Sequence, residues 1–401
     1  MIIKSINELY SIRRQDLNTY LGHVGEIIEY VMKYRDDGLR ELTRKFDGVS
    51  IKEIVVNKEE LRELAESIPY EVKTSLDLLY EYLISLHTST LPKDLIIRSG
   101  KFSSGIIWRP ISSVGIYVPG GLKAYPSTLL MAAVPARVAG VERLYVGTPP
   151  RRDGRIDAAV AYLSLKLNVS KVYRVGGAQI IAAMAFGTES VEKVDKIVGP
   201  GNIYVQLAKS LLQGIVSIDG VEGPTELLVI ADETASIDEV CIDMEAQAEH
   251  GPSSIVALIS TSDEILNKVE LCLSRSSNKF FLIKVNDMDE AVHLVNSFAP
   301  EHLSVKVKDP YPLISKVMNV GAISVGKTPS AIIDYLGPNH ILPTGNSAKY
   351  RGGLSVYDFV KTVMIADGMP ERDVLRAIRI LASYEGFESH SRSVGVCYGC
   401  P

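Results

Sequence analysis

Three patterns of apolar and polar positions follow one another along the chain. Through about residue 90, apolar residues recur at helical spacing among many charges, as in Val24-Gly25-Glu26-Ile27-Ile28-Glu29-Tyr30-Val31 and Glu60-Leu61-Arg62-Glu63-Leu64-Ala65, which predicts a helical lead-in. From Gly115 the pattern changes to short apolar runs alternating with helical stretches. The runs GIYV, RLYVG, KVYRVGG and KIVGPG are followed by helical patterns over 129–139, 156–167, 179–186 and 203–212. A second series opens at ELLVIA and continues through SIVALIS, FFLIKV, LSVKV and AISVG, with helices expected over 237–250, 264–274, 291–299 and 314–320. After about residue 326 the chain reads as loops, then as a helix over 371–383.

Strands that alternate with helices imply βαβ units and parallel sheets covered on both faces. The expected fold class is α/β, with two Rossmann-like parallel-sheet domains. The segments are a helical N-terminal part over 1–110, a first α/β domain over 111–222, a second over 223–330 and a C-terminal extension over 331–401. No clean internal repeat joins the two series.

With 401 residues, 46% hydrophobic and 23% charged, the chain is long enough for two or more cores. A formal net charge of −5 with scattered Lys and Arg offers no basic surface for nucleic acid, so a small-molecule substrate is expected. The N-terminus has no apolar core of signal-peptide length and no segment has the apolar length of a membrane helix. A cytoplasmic protein with no membrane partner is expected. Cys241 and Cys272 fall in helical segments and read as small apolar residues, while Cys397 and Cys400 form a CxxC in a tail with no second CxxC.

Candidate chemistry starts at Gln247-Ala248-Glu249-His250. Ile237, Val240 and Met244 form an apolar helical stripe whose next positions are Gln247 and His250, so the stripe ends in polar groups that need partners once buried. A metal ion is one such partner; a backbone-bonded glutamine and a helix-end histidine are the plain alternative. His302 in APEHL, His340 in DYLGPNH and His390 in EGFESH also lie in compact polar motifs, whereas His23, His87 and His293 read as surface residues on charged helices. Gln, His and Asp together suit zinc, with manganese or cobalt as substitutes.

The motifs GIYVPGG (115–121), GGAQ (176–179), VDKIVGPGN (194–202), GPTELLVIAD (223–232), QAEHGP (247–252), APEHL (299–303), DYLGPNHILPTG (334–345) and EGFESH (385–390) stand in the order of one family. On these eight blocks the chain resembles the histidinol dehydrogenases. The resemblance implies NAD- and zinc-dependent oxidation of L-histidinol to L-histidine, the last step of histidine synthesis. It implies one zinc per subunit on Gln247, His250, Asp334 and His390, and NAD contacts from Tyr117, Gln179 and Asn202 in the first α/β domain. It also implies substrate contacts from Thr225, Gln247, His250, His302, Asp334, Glu385 and His390, and a homodimer that exchanges its C-terminal segments. Pro343 to Gly353 is a polar, glycine-bearing stretch that could carry such an exchange. The loop from Asp334 to His340 is one residue shorter than the family pattern, which leaves Asp334 usable and His340 outside the ligand set.

No G-x-G-x-x-G follows a strand and opens a helix, so the usual pyrophosphate fingerprint is missing. Gly120-Gly121, Gly176-Gly177 and Gly199-Pro200-Gly201 nonetheless end strands at the edge where open α/β sheets bind ligands; tight turns and helix caps are the alternative use. Oxidising an alcohol to an acid needs a base twice and an activated water once. His302 suits the first task and Glu301 the second, and Pro300 places both in a turn before the LSVKV strand. A zinc hydrolase acting on a small amine without a nicotinamide step is the competing reading, although the chain has no HExxH.

Overall fold

The computed structural model describes residues 2–3, 6–12, 18–120 and 124–396, so Gly121, Cys397 and Cys400 lie outside the described residues. The chain divides into two compact units. One is built from the residues up to Thr90 and from Ile111 to Phe359, the other from Leu91–Pro110 and the chain after Phe359.

The larger unit contains both expected α/β series. The first sheet has the order Val55–Val56, Lys171–Tyr173, Arg143–Gly147, Ser113–Tyr117, Lys196–Val198, Ser217–Ile218, and all its pairings are parallel except that of Val55–Val56. The chain leaves Ser113–Tyr117 toward one side of the sheet and returns beside it with Lys196–Val198 on the other. That reversal opens a crevice beyond the carboxyl ends of these two strands, where open α/β sheets bind ligands.

The second sheet, in the order Ile2–Ile3, Phe280–Lys284, Ile255–Ser260, Glu226–Ala231, His302–Lys306, Ala322–Val325, is wholly parallel. It reverses in the same way between Glu226–Ala231 and His302–Lys306. Both central strands are buried along their whole length, which is why ELLVIA and LSVKV read as runs rather than as alternating patterns.

The helices that cover these sheets follow from their sequence. Gly177–Phe186 is buried at eight of its ten positions and carries no polar stripe, because the sheet lies on one side and the long helix Asn18–Asp47 packs on another. The lead-in helix is thus part of the first core through Val24, Ile27, Ile28 and Val31. Ile237–Ala248 starts on Ser236, whose hydroxyl accepts from the Glu239 amide, with Asp238 and Glu239 in the first turn.

Several expectations are corrected. Leu95–Ser99 and Phe102–Pro110 are strands, not part of a helical segment; with Val360–Gly368 they form an antiparallel three-stranded sheet in the smaller unit. Leu95–Ser99 is exposed at every position, so no face alternates and period-2 reading finds nothing there. The helix expected over 314–320 is the single turn Tyr311–Ile314, and a further helix, Glu388–Val396, follows Arg372–Tyr384. His87 is buried rather than superficial. Cys241 packs in a hydrophobic core as expected, but it is joined in a disulfide to Cys272, which is exposed, with Cα atoms 6.6 Å apart.

A buried ion pair holds the turn at the first crevice. Lys209 Nζ lies 2.5 Å from Asp219 Oδ1, with both side chains almost wholly out of water. The pair grips both faces of Gly199: the Gly199 amide donates to Asp219 Oδ2 at 2.7 Å, and Lys209 Nζ donates to the Gly199 carbonyl at 3.1 Å. Gly199 has φ +118°, and a Cβ there would meet the Tyr117 carbonyl oxygen at 2.2 Å, so only glycine fits. Lys209→Met strands a buried carboxylate and is expected to cost about 3–5 kcal/mol in urea unfolding. Lys209→Met with Asp219→Asn should recover more than half of that loss. A cost below about 1 kcal/mol for the single change would mean that this pair does not hold the turn.

Candidate active site

The helix Ile237–Ala248 follows the strand Glu226–Ala231 and runs back across the sheet, so its last turn arrives at the edge where the parallel strands begin. His302 opens the strand His302–Lys306 at that same edge, paired with Leu227. Gln247, on the last helical turn, therefore lies in one cluster with the start of the LSVKV strand. The expected turn ends one residue earlier than anticipated: Ala299 takes φ +52° and closes the preceding helix, Glu301 lies in a bend, and His302 is already in the sheet.

Asp334, on the short helix Ala331–Tyr335, completes the cluster. Gln247 Nε2 donates to Asp334 Oδ2 at 2.9 Å and to Ser330 Oγ at 3.1 Å. His302 Nε2 lies 3.5 Å from Asp334 Oδ1 and 4.0 Å from Glu301 Oε1. With both amide hydrogens of Gln247 engaged, its Oε1 is buried without a hydrogen-bond partner, and so is His302 Nδ1. Orphaned buried acceptors of this kind are rare and cost stability.

Asp243, one turn before Gln247, is the hub that fixes this arrangement, and sequence reading missed it. Its Oδ1 accepts from the Ser330 amide at 2.8 Å and the Ser330 hydroxyl at 2.6 Å, while Oδ2 accepts from Ser304 Oγ at 2.8 Å and lies 3.5 Å from Lys306 Nζ. The signal available in the sequence was a carboxylate at i−4 from Gln247 on the buried face, with Ser304 and Lys306 alternating on the strand.

Burial sets the protonation states. It holds the His302 imidazole down at about 4, against the upward pull of Asp334. Burial pushes Glu301 well above the ordinary carboxylate range; the Glu226 amide, donating at 3.1 Å, opposes this, and the carboxylates of Glu226, Glu222 and Asp334 add to the rise. His302 is thus neutral at pH 7 and a weaker base than a solvated imidazole, while Glu301 holds its proton more strongly than a solvated glutamate.

His250 lies past the end of its helix and is exposed, not inward-facing; its Nδ1 is 3.2 Å from the Gln247 carbonyl. Thr225 is half-buried just before the strand Glu226–Ala231, and its carbonyl accepts from the Ile255 amide at 2.8 Å. His340, set aside in the sequence, sits against the cluster: Nδ1 bonds the Asp334 carbonyl at 2.6 Å and Nε2 lies 3.2 Å from Thr128 Oγ1. Glu385 and His390 belong to the smaller unit, where both are exposed and the His390 ring lies 5.2 Å from the Phe387 ring. Among the described residues, no three His, Cys, Asp or Glu side chains form a ready metal set.

The first sheet carries a cavity of about 480 Å³ at the carboxyl ends of its central strands, within the range of ligand pockets. Tyr117, Gln179 and Asn202 all line it, together with Lys45, Phe46 and Asp47 from the end of the lead-in helix. The Tyr117 hydroxyl, pushed up to about 12 by burial, accepts from the Gly177 amide at 3.4 Å. Asn202 also caps a helix, its Oδ1 accepting from Tyr204 and Val205. Sequence reading did not foresee that the helical lead-in supplies one wall.

The profile of the family described as histidinol dehydrogenase matches residues 11–397. A histidinol dehydrogenase of Saccharolobus solfataricus is 49% identical over 388 residues, covering 96% of this chain and 98% of that protein. One of Sulfurisphaera tokodaii is 50% identical over 401 residues, covering 99% and 100%. The crystal structure of histidinol dehydrogenase from Elizabethkingia anophelis superposes with a TM-score of 0.91 at 30% identity, covering 99% of this chain and 96% of that one. The protein is an α/β oxidoreductase with parallel sheets and a helical N-terminus. It belongs to the histidinol dehydrogenase family.

The residues at the second-sheet edge fit a divalent cation. Gln247 Oε1 is a buried acceptor with nothing to accept from, on an amide whose nitrogen bonds the Asp334 carboxylate, and amide oxygen, carboxylate and imidazole form a borderline-to-hard donor set. Asp243→Asn removes the anion beside Lys306 and misplaces one donor or the other. The variant is expected to lose about 3–5 kcal/mol of stability and to hold divalent metal about 10- to 100-fold more weakly. Unchanged metal affinity in a folded Asp243→Asn protein would show that the hub does not orient Gln247 and Asp334.

Proposed function

We propose that this protein oxidises L-histidinol to L-histidine through histidinal in two NAD-dependent steps, in the cytoplasm, as the last reaction of histidine biosynthesis. The observation that carries the reading is the buried pair Glu301 and His302 beside Asp334, in a chain of this family. NAD, when bound through Tyr117, Gln179 and Asn202, supplies the two-electron acceptor for each oxidation. Zinc, when held by Gln247, His250 and Asp334 with the partner subunit's His390, supplies a fixed charge that anchors the imidazole and amino nitrogens of the substrate.

The remaining work falls to protons that this chain's residues move. Neutral His302 accepts the hydroxyl proton of the alcohol as the first alkoxide forms. Glu301, in its carboxylate form, takes a proton from the water that adds to histidinal. His302 then accepts a proton from the hydrate as it is oxidised to the acid. The balance is one histidinol, one water and two NAD giving histidine, two NADH and the released protons. Thr225 and the partner subunit's Glu385 suit the hydroxyl and cationic amine of the substrate.

The protein acts as a homodimer in this reading. Glu385 and His390 are exposed on the smaller unit among exposed apolar side chains, with Tyr384 at 89% and Phe387 at 55% exposure, alongside Ile380 and Leu381. An apolar surface of this kind around two candidate ligands suits burial against a second copy.

Two measurements test these proposals. Absorbance of reduced nicotinamide should give two NADH per histidinol, and Glu301→Gln should slow oxidation of supplied histidinal by about 10² to 10⁴, more than it slows the alcohol half. One NADH with accumulating aldehyde would refute the two-step reading. For the dimer, co-expression of Glu301→Gln with His390→Ala should regain activity in isolated mixed dimers, since one site then combines an intact body with an intact tail. Mixed dimers no more active than either parent would refute the exchange.

A further inference from the structure

Asp47 is badly placed for a structural residue. It is the last residue of the helix Asn18–Asp47, at the pole where backbone carbonyls disfavour negative charge. Its Oδ2 is buried with no hydrogen-bond partner, and no cation is paired with it among the described residues. Burial alone, with nothing to oppose it, pushes its carboxyl up to about 6. A residue that breaks local rules without compensation is a candidate for binding. Asp47 lines the first-sheet cavity together with Tyr117, Gln179 and Asn202.

In the usual dinucleotide fold an acid about 20 residues beyond the glycine fingerprint bonds the ribose 2′-hydroxyl and thereby selects NAD. This chain has no such fingerprint, and the half-buried acid at its cavity comes from a helix that precedes the sheet.

We infer that Asp47 accepts hydrogen bonds from the adenosine ribose diol of the cofactor and makes the cavity select NAD over NADP. The inference rests on reading this cavity as the dinucleotide site. A vicinal diol offers two O–H donors to a carboxylate that lacks any, which removes the penalty of the unpaired oxygen. A 2′-phosphate would instead bring negative charge against that carboxylate, with Lys45, which forms no ion pair with Asp47, as the lysine on the same cavity wall. Glu26, the other acid on the cavity wall, is exposed and remains hydrated, so it does not share this role.

Isothermal titration of NAD and of NADP into the wild-type protein, Asp47→Ala and Glu26→Ala, with the melting temperature of each at pH 7, tests the assignment. The wild type should prefer NAD. Asp47→Ala should bind NAD about 10- to 100-fold more weakly and NADP no more weakly, so that the preference collapses, and its melting temperature should hold or rise because an unpaired carboxylate has gone. Glu26→Ala should keep the wild-type preference. An unchanged NAD-to-NADP ratio in Asp47→Ala while the wild type binds NAD would overturn the role of Asp47 alone. A lower melting temperature with both nucleotides weakened equally would make the residue structural and overturn it as well. If the wild type binds neither nucleotide, the cavity reading falls and the inference falls with it.

Discussion

The second-sheet site depends on the orientation of one amide. Gln247 gives both hydrogens of Nε2 to Ser330 and Asp334, and this leaves Oε1 buried with nothing to accept from. An unsatisfied buried oxygen costs about 1–3 kcal/mol, so the fold must impose it. Asp243 does so. By binding Ser330 through two hydrogen bonds and Ser304 through a third, it ties the helix of Gln247, the strand of His302 and the approach to Asp334 into one rigid joint.

The two sheets of the larger unit present opposite edges to chemistry. The first carries a cavity lined by Tyr117, Gln179 and Asn202 at the carboxyl ends of its strands; the second gathers Thr225, Glu301 and His302 at its amino ends. The segment after Asp334 links them. Asn339 Nδ2 donates to the Met131 carbonyl at 2.7 Å, and His340 spans from the Asp334 carbonyl to Thr128 on the helix that follows Tyr117. Arg351 reaches both the Asp219 carbonyl and Glu222, and Glu222 Oε2 accepts from the Thr344 amide at 3.2 Å. Buried polar bonds thus run continuously from the Gly199 turn toward Glu226 and Glu301.

Most of this architecture was legible from periodicity, because fully buried parallel strands write themselves as apolar runs and their crossover helices as stripes. ELLVIA, SIVALIS and LSVKV are strands at almost the positions their composition dictates. What stayed hidden lacks a local signature. Leu95–Ser99 is exposed on both faces, so its pattern carries no information about a sheet. Asp243, Ser330 and Lys306 look like ordinary polar residues until the fold brings them together. His340 drew doubt from a loop length, yet its ring bonds the backbone of Asp334, a contact that spacing cannot foretell. Gln247 was readable because a polar residue on an apolar stripe conflicts with burial, and the structure keeps that conflict unresolved within the chain.

In the function proposed above, this orphaned amide oxygen is a metal ligand. Anomalous diffraction from crystals of the zinc-loaded protein, collected on both sides of the zinc absorption edge, tests it most directly. One peak is expected about 2.0–2.2 Å from Gln247 Oε1, with Asp334 and His250 also in its coordination sphere. A zinc peak bound elsewhere, with Gln247 Oε1 still unpartnered, would contradict it.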